Sequence, residues 1–316
     1  MADTVKTIKS SGGDYSSLAG WEAGQQKTIS AGDRELAEYY SFDDTTFCTI
    51  DGWTTVETGY ILVYTPASER HDGKWNVAKA RNTGGIIISE EYVRLDGLQF
   101  DTGASRSIII SVSAGTGEIR ISNLFSTNTF RSIDIYSVGA LTIKVWNAVL
   151  YVSGGGQYGA ILLNDADATL YCYNVTAYHA GGYLAFYQTA GSMNLVNCLG
   201  VSGIAQAFYG TMASVTYCAS NDATADDWSG AGNRINQTFT FVDSANGDFH
   251  LASTDAGARD YGVSDPGSGL FSDDIDGVAR SGSWDIGADE YVAAGGGLSI
   301  SAARSYTQAV NRAAVY

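Results

Sequence analysis

The stretches Ile119-Arg-Ile121-Ser-Asn123, Ile143-Lys-Val145-Trp-Asn147, Leu170-Tyr-Cys172-Tyr-Asn174 and Met193-Asn-Leu195-Val-Asn197 repeat one pattern: apolar-x-apolar, then asparagine two residues later. The pattern extends back to Val93-Arg-Leu95 with Gly97 and forward to Val215-Thr-Tyr217 with Ala219, in steps of 26, 24, 27, 23 and 22 residues. Another short apolar segment precedes most repeats: Ile86–Ile88, Ile108–Ile110, Ile133-Asp-Ile135, Ala160-Ile-Leu162, Leu184-Ala-Phe186 and Ala207-Phe-Tyr209. Short strands with period-2 alternation cannot bury a core alone, but stacked in register they enclose one continuous core. Asparagine tolerates the left-handed backbone of a tight bend. Asn123, Asn147, Asn174 and Asn197 are therefore expected to stack as a side-chain ladder along the axis.

The expected fold is all-β, a single-stranded right-handed parallel β-helix. Its hand follows from the preference for right-handed crossovers between parallel strands. Propeller blades need longer repeats, and the consensus of leucine-rich repeats is absent. Composition agrees: 38 Gly against 2 Pro, with 20 Tyr, suits strands and bends rather than helices. The four cysteines, Cys48, Cys172, Cys198 and Cys218, show no CxxC spacing and read as buried free thiols.

Four regions are expected: an N-terminal helical cap over 1–34, rungs over 35–234, a C-terminal capping module over 235–292, and a Gly-linked arm over 293–316. Leu18 and Trp21 share one face of a short helix suited to plugging the first rung. The net charge is −16, and the arm alone is basic, through Arg304 and Arg312. So acidic a chain excludes general nucleic-acid binding, and no apolar run reaches membrane-span length. Met1-Ala-Asp-Thr-Val-Lys6 has no apolar segment behind a basic start, so no signal peptide is expected.

Gly13-Asp-Tyr15-Ser-Ser-Leu18, Asp276-Gly-Val-Ala-Arg280 and Trp284-Asp-Ile-Gly-Ala-Asp-Glu290-Tyr291 flank the rungs. Across residues 5–291 the chain resembles the pectin-lyase-like β-helix superfamily, in particular members ending in a D-G-x-x-R … D-I-G-A-x-E module. Related modules occur in bacteriophage particle proteins, bacterial surface proteins and polysaccharide enzymes. The motif is expected to form cap ion pairs of Arg280 with Asp285 or Glu290, with Trp284 and Ile286 covering the last rung.

The resemblance implies that any chemistry sits on the outer face of central rungs. A lyase needs a cationic base and a neutraliser of the uronate carboxylate, yet no Lys or Arg lies between Val145 and Asn233. A hydrolase needs two facing carboxyls; Asp134 with Asp165 or Asp167 is the best pair, and His179 the best base. The bland reading makes these solvated turn residues. No metal site is expected. Calcium is the one cofactor alternative, at Ser272-Asp-Asp274-Ile-Asp276-Gly277, although Ser283 stands where a bidentate Glu belongs. Trp146, Tyr171, Tyr173, Tyr178 and Tyr187 are expected to form an outer aromatic face for a glycan or a protein.

The expected function is that of a non-enzymatic bacteriophage-type virion protein, a head decoration or fibre component or a tail component. It would be made in the host cytoplasm and displayed on the particle exterior. Its expected partners are its own copies, as a trimer, other virion proteins such as capsid, and a surface polysaccharide. Leu298, Ile300, Arg304, Arg312 and Val315 would attach it. The alternatives are a β-helix polysaccharide lyase or glycoside hydrolase, and a bacterial surface adhesin.

Overall fold

The computed structural model describes residues 2–136, 139–155, 159–204 and 206–293. The proposed arm residues Leu298, Ile300, Arg304, Arg312 and Val315 lie outside the described residues. The chain winds into a parallel β-solenoid of about seven turns, with its rung strands paired in parallel. Three sheets run along the rod. The first holds the apolar-x-apolar strands, such as Val93–Asp96, Glu118–Ser122 and Ser192–Val196. The second follows the asparagine corner, with Gln99–Gly103, Phe125–Asn128 and Leu199–Ser202. The third holds Cys48–Ile50, Ile86–Ile88, Ile108–Ile110, Ile133–Tyr136, Ile161–Asn164, Phe186–Gln188 and Phe208–Tyr209. Inward side chains from all three form one core, with Ile121, Val145, Cys172 and Leu195 on the first sheet. The four cysteines are buried and free.

The corners explain the repeat. Asn123, Asn147, Asn174 and Asn197 have φ between 48° and 53°, and Gly97 has φ 75° in the same place. One left-handed residue turns the chain without interrupting the pairing. The strands Thr142–Val152 and Thr169–His179 therefore run through the corner and join the first two sheets. The last rung differs from its expected register. Leu195 pairs with Val215, so Ala213 faces Met193 and Tyr217, at φ 50°, takes the corner. An aromatic at the corner mimics the second inward residue of the repeat, which displaced the reading by two positions.

At the N-terminus the helix Leu18–Gln25 is capped by Ser17 Oγ, which accepts the Gly20 N–H, and it buries Leu18 and Trp21. Trp21 stacks on Trp53 with centroids 5.5 Å apart. At the other end Ala225 enters the core and Trp228 and Ile235 pack against it. The segment after the last rung thus helps close that end, and its Arg234 reaches the Gly257 carbonyl of the C-terminal module. The module lies along the flank of the rod. Ile286 packs on Leu199 and Ala219 of the second sheet, Phe249 on Phe125 and Val149, and Trp284 beside Phe271 and Trp146 of the first.

The asparagine side chains face this module. Asn147 Nδ2 donates to Asp273 O (2.9 Å), Asn174 Nδ2 to Asp285 O (3.1 Å) and Gly287 O (3.2 Å), and Asn197 Nδ2 to Val263 O (2.8 Å). Rung-to-rung amide bonds are longer: 3.4 Å from Asn147 to Asn123 and 3.3 Å from Asn197 to Asn174. Between Asn147 and Asn174 the ladder is interrupted, and Asn147 Oδ1 has no hydrogen-bond partner. Module carbonyls compete for the amide hydrogens that a continuous ladder needs. Replacing Asn174 by Leu removes its hydrogen bonds to two carbonyls and the one it accepts from Asn197, so the variant should lose about 1–3 kcal/mol. The chemical-denaturation midpoint reads this directly, and an unchanged midpoint contradicts it.

Candidate functional site

The module over residues 235–292 has one antiparallel pair of strands, Phe241–Asp243 with Asp248–Leu251. Elsewhere its buried N–H groups need acceptors that no ladder supplies, and carboxylates take that place. Asp274 accepts the N–H groups of Gly277 (2.9 Å), Val278 (2.7 Å) and Glu290 (3.1 Å). Asp285 accepts those of Asp260 and Tyr291, both at 2.7 Å, and Asp255 those of Thr240 (2.7 Å) and Ala258 (2.8 Å). Arg280 does the converse. Its buried guanidinium donates to the carbonyls of Ala288 (2.8 Å), Gly287 (3.0 Å) and Asp289 (3.2 Å) and pairs with Glu290 Oε2 at 3.2 Å. It meets Asp285 through that residue's carbonyl (3.4 Å), not its carboxylate. Burial pushes the Glu290 carboxyl up to about 7 and Asp289 up to about 6, against the pull of nearby positive charge.

This packing settles where the aromatic residues lie. Trp146 is buried under Phe271, stacked at 6.2 Å, and Trp284. Tyr173 leans on Phe271 and stacks on Tyr171 at 6.2 Å. Tyr178 packs against Phe241 and Phe249 on the second sheet. Tyr187 belongs to the third sheet, beside Tyr209 at 5.6 Å. The expected single aromatic face is therefore divided among three sheets, and the module covers Trp146 and much of Tyr178. Alternation gave the outward direction of these rings, but it carries no information on what lies over them.

The candidate catalytic residues do not converge. Asp134 is buried on the third sheet, where Arg131 (2.7 Å) and Arg106 both bind its Oδ2. It pairs with Leu162, so Asp165 lies three residues further along the next rung, roughly 10 Å away by strand rise. Asp165 accepts the Asp167 N–H at 3.1 Å in an exposed bend. His179 is buried at the end of the second sheet, its Nδ1 accepting the Tyr183 N–H at 3.5 Å. In the calcium-like segment, Asp274 is committed to backbone N–H groups and only Asp276 meets His250, at 3.5 Å.

Three further features were not singled out from sequence. Arg94, Arg120 and Lys144 stack in register on the outer face of the first sheet. Glu118 binds Arg120 and Lys144 (2.5 Å to the latter), and Arg94 lies over the Tyr60 ring at 3.5 Å. Burial works against the charged Glu118, but Lys144 and Arg120 hold it below the usual carboxylate range. On the third sheet a second column aligns Thr49, Ile87, Ile109, Asp134, Leu162, Tyr187 and Tyr209. Its one charge is neutralised in place by Arg106 and Arg131. A cavity of about 260 Å³ opens where the module hairpin meets the second sheet, lined by Trp75, Phe125, Tyr151, Asp101, Thr127 and residues 244–247.

Comparison with protein-family models, with curated proteins and with solved structures finds no match to this chain. Asn147, Asn174 and Asn197 join the module to the rod, and Arg280 is the centre of the module's own hydrogen bonds. Arg280→Met leaves Glu290 and several carbonyls buried without their donor, so the variant should lose about 3–5 kcal/mol. Limited proteolysis should cut within residues 235–292 while the rungs stay intact. Cleavage no faster than in the parent protein contradicts this.

Proposed function

We propose that the protein is a non-enzymatic structural rod of the bacteriophage-particle exterior, a head decoration or fibre component or a tail component, assembled from three copies of the chain. The observation that carries this reading is the third-sheet column. Ile87, Ile109 and Tyr187 are only partly covered and Tyr209 is 46% exposed, on a column whose one charged member, Asp134, is buried and paired with Arg106 and Arg131. An apolar, charge-poor patch on a regular sheet is the composition of an interface core. Three such faces turned toward one axis form a closed cyclic assembly. The dispersal of Asp134, Asp165, Asp167 and His179 supports a role without catalysis. The aromatic-lined cavity beside Trp75 and Tyr151 suits a sugar ring and is the proposed point of glycan contact.

A second reading, a polysaccharide-binding or polysaccharide-cleaving protein, is favoured by one observation. Arg94, Arg120 and Lys144 line up rung on rung just before the cation-free stretch. Arg94 and Arg120 are buried and Glu118 pairs with Arg120 and Lys144, so Lys144 is the member an acidic polysaccharide could meet.

Light scattering tests the first reading. The parent should have three times the 33.4 kDa mass of one chain, and Ile109→Asp with Tyr187→Asp should reduce it to one. A monomeric parent, or an assembly indifferent to the double variant, contradicts the proposal. Incubation with acidic and neutral polysaccharides should give neither unsaturated products nor new reducing ends. Turnover abolished by Lys144→Gln would replace the first reading with the second.

A further inference from the structure

We infer that His250, Asp276 and Asp289 form a site for a first-row transition metal, with Zn²⁺ the best-fitting ion, which clips three segments of the C-terminal module together. The residues come from separate places. His250 lies on the hairpin strand Asp248–Leu251, Asp276 in the turn that Asp274 organises, and Asp289 near the end of the module. One ligand atom from each lies within 4.8 Å of the others. Ligands about 2.0–2.1 Å from a tetrahedral zinc stand about 3.3 Å apart. His250 Nε2 and Asp276 Oδ2, at 3.5 Å, are already near that spacing.

The surroundings of these atoms suit a ligand role. Asp248 Oδ1 holds His250 Nδ1 at 2.6 Å and also accepts the His250 N–H at 3.2 Å. That carboxylate fixes the ring and leaves Nε2 as the inward nitrogen, the usual support of a metal-bound histidine. The Asp276 carboxyl hydrogen-bonds the Asp274 carboxyl and meets His250, and its buried Oδ1 takes no N–H donor, a place a cation would fill. Gly73 lies over the same point. A Cβ there would stand 2.5 Å from His250 Nε2 and 3.3 Å from Asp276 Cβ, so the glycine keeps the approach to the nitrogen open. Asp289 is buried, with Oδ2 accepting the Leu251 N–H at 2.6 Å, which leaves its other oxygen for the ion.

The charge balance points the same way. Asp248, Asp276 and Asp289 gather here beside Asp274, whose carboxyl is pushed well up by burial and by Asp276. The nearby cations besides His250 are Arg280, already paired with Glu290, and Lys74, which is 4.0 Å from Asp248 and 3.7 Å from Asp72. One nitrogen with carboxylate oxygens fits Zn²⁺ or its neighbours, whereas Ca²⁺ takes six to eight oxygens. The ion would fasten the hairpin, which Leu251 N–H already ties to Asp289, to both the Asp274 turn and the terminal stretch.

The test uses the full chain without a histidine tag, stripped with a chelator and titrated calorimetrically with ZnCl₂, with CaCl₂ in parallel. One Zn²⁺ should bind per chain and raise the thermal midpoint, while Ca²⁺ does neither. His250→Gln and Asp276→Asn should each weaken Zn²⁺ binding by roughly 10–100-fold. Co²⁺ should give visible bands in the parent protein that His250→Gln lacks, a readout that does not depend on the variant's stability. No saturable Zn²⁺ binding at millimolar metal, or equal binding by the parent and both variants, overturns the site. Protonated His250 is then itself the cation of the cluster.

Discussion

A backbone N–H withdrawn from water must find an acceptor, and the way each half of this protein meets that demand determines the rest. In the rod the demand is met by parallel pairing, rung on rung, so the sequence needs only alternation and a residue that can bend. In the module almost no ladder exists. There isolated backbone carbonyls take some N–H groups, as Ala288 O does for Ile275 and Ala258 O for Ile286. Side-chain carboxylates take many others, and one arginine donates to a cluster of buried carbonyls. Asp255, Asp274 and Asp285 each hold two or more N–H groups. The high acidity of the chain is thus partly structural, because these carboxylates stand where strand carbonyls otherwise would.

The same demand joins the halves. A corner asparagine in the left-handed conformation needs only its backbone to bend the chain, and its amide is left over. Asn147, Asn174 and Asn197 spend that amide on module carbonyls. With the module fixed on that corner, the outer face of the second sheet becomes interior. Phe125, Val149, Leu199 and Ala219 are apolar because the hairpin and the D-I-G-A segment lie on them. The outer face of the third sheet, by contrast, is not covered by the module, and Tyr209 there is exposed.

The β-solenoid was legible because its signal is periodic. Asparagine recurs where φ must be positive, and inward residues recur between the bends. The last corner was not legible, since Tyr217 reads as a strand residue and only its pairing shows it to be the bend. The position of the module was hidden for another reason. Its contacts link residues far apart in sequence, as Thr176 Oγ1 with the Ala288 N–H does, and nothing in it repeats. The cationic line was within reach of the sequence. Arg94, Arg120 and Lys144 are the middle residues of three successive apolar-x-apolar triplets, and in-register stacking alone places them side by side. Counting cations only across the central rungs passed over it.

In the module, carboxylates hold N–H groups that a strand ladder would otherwise hold. Hydrogen exchange on the intact protein measures this most directly, amide by amide. The N–H groups of Gly277, Val278, Glu290 and Tyr291 lie outside any strand but are held by Asp274 and Asp285. They should exchange about as slowly as the strand amides of Ile121 and Val145. Exchange at the rate of an open loop, with the rod amides still protected, would contradict the claim.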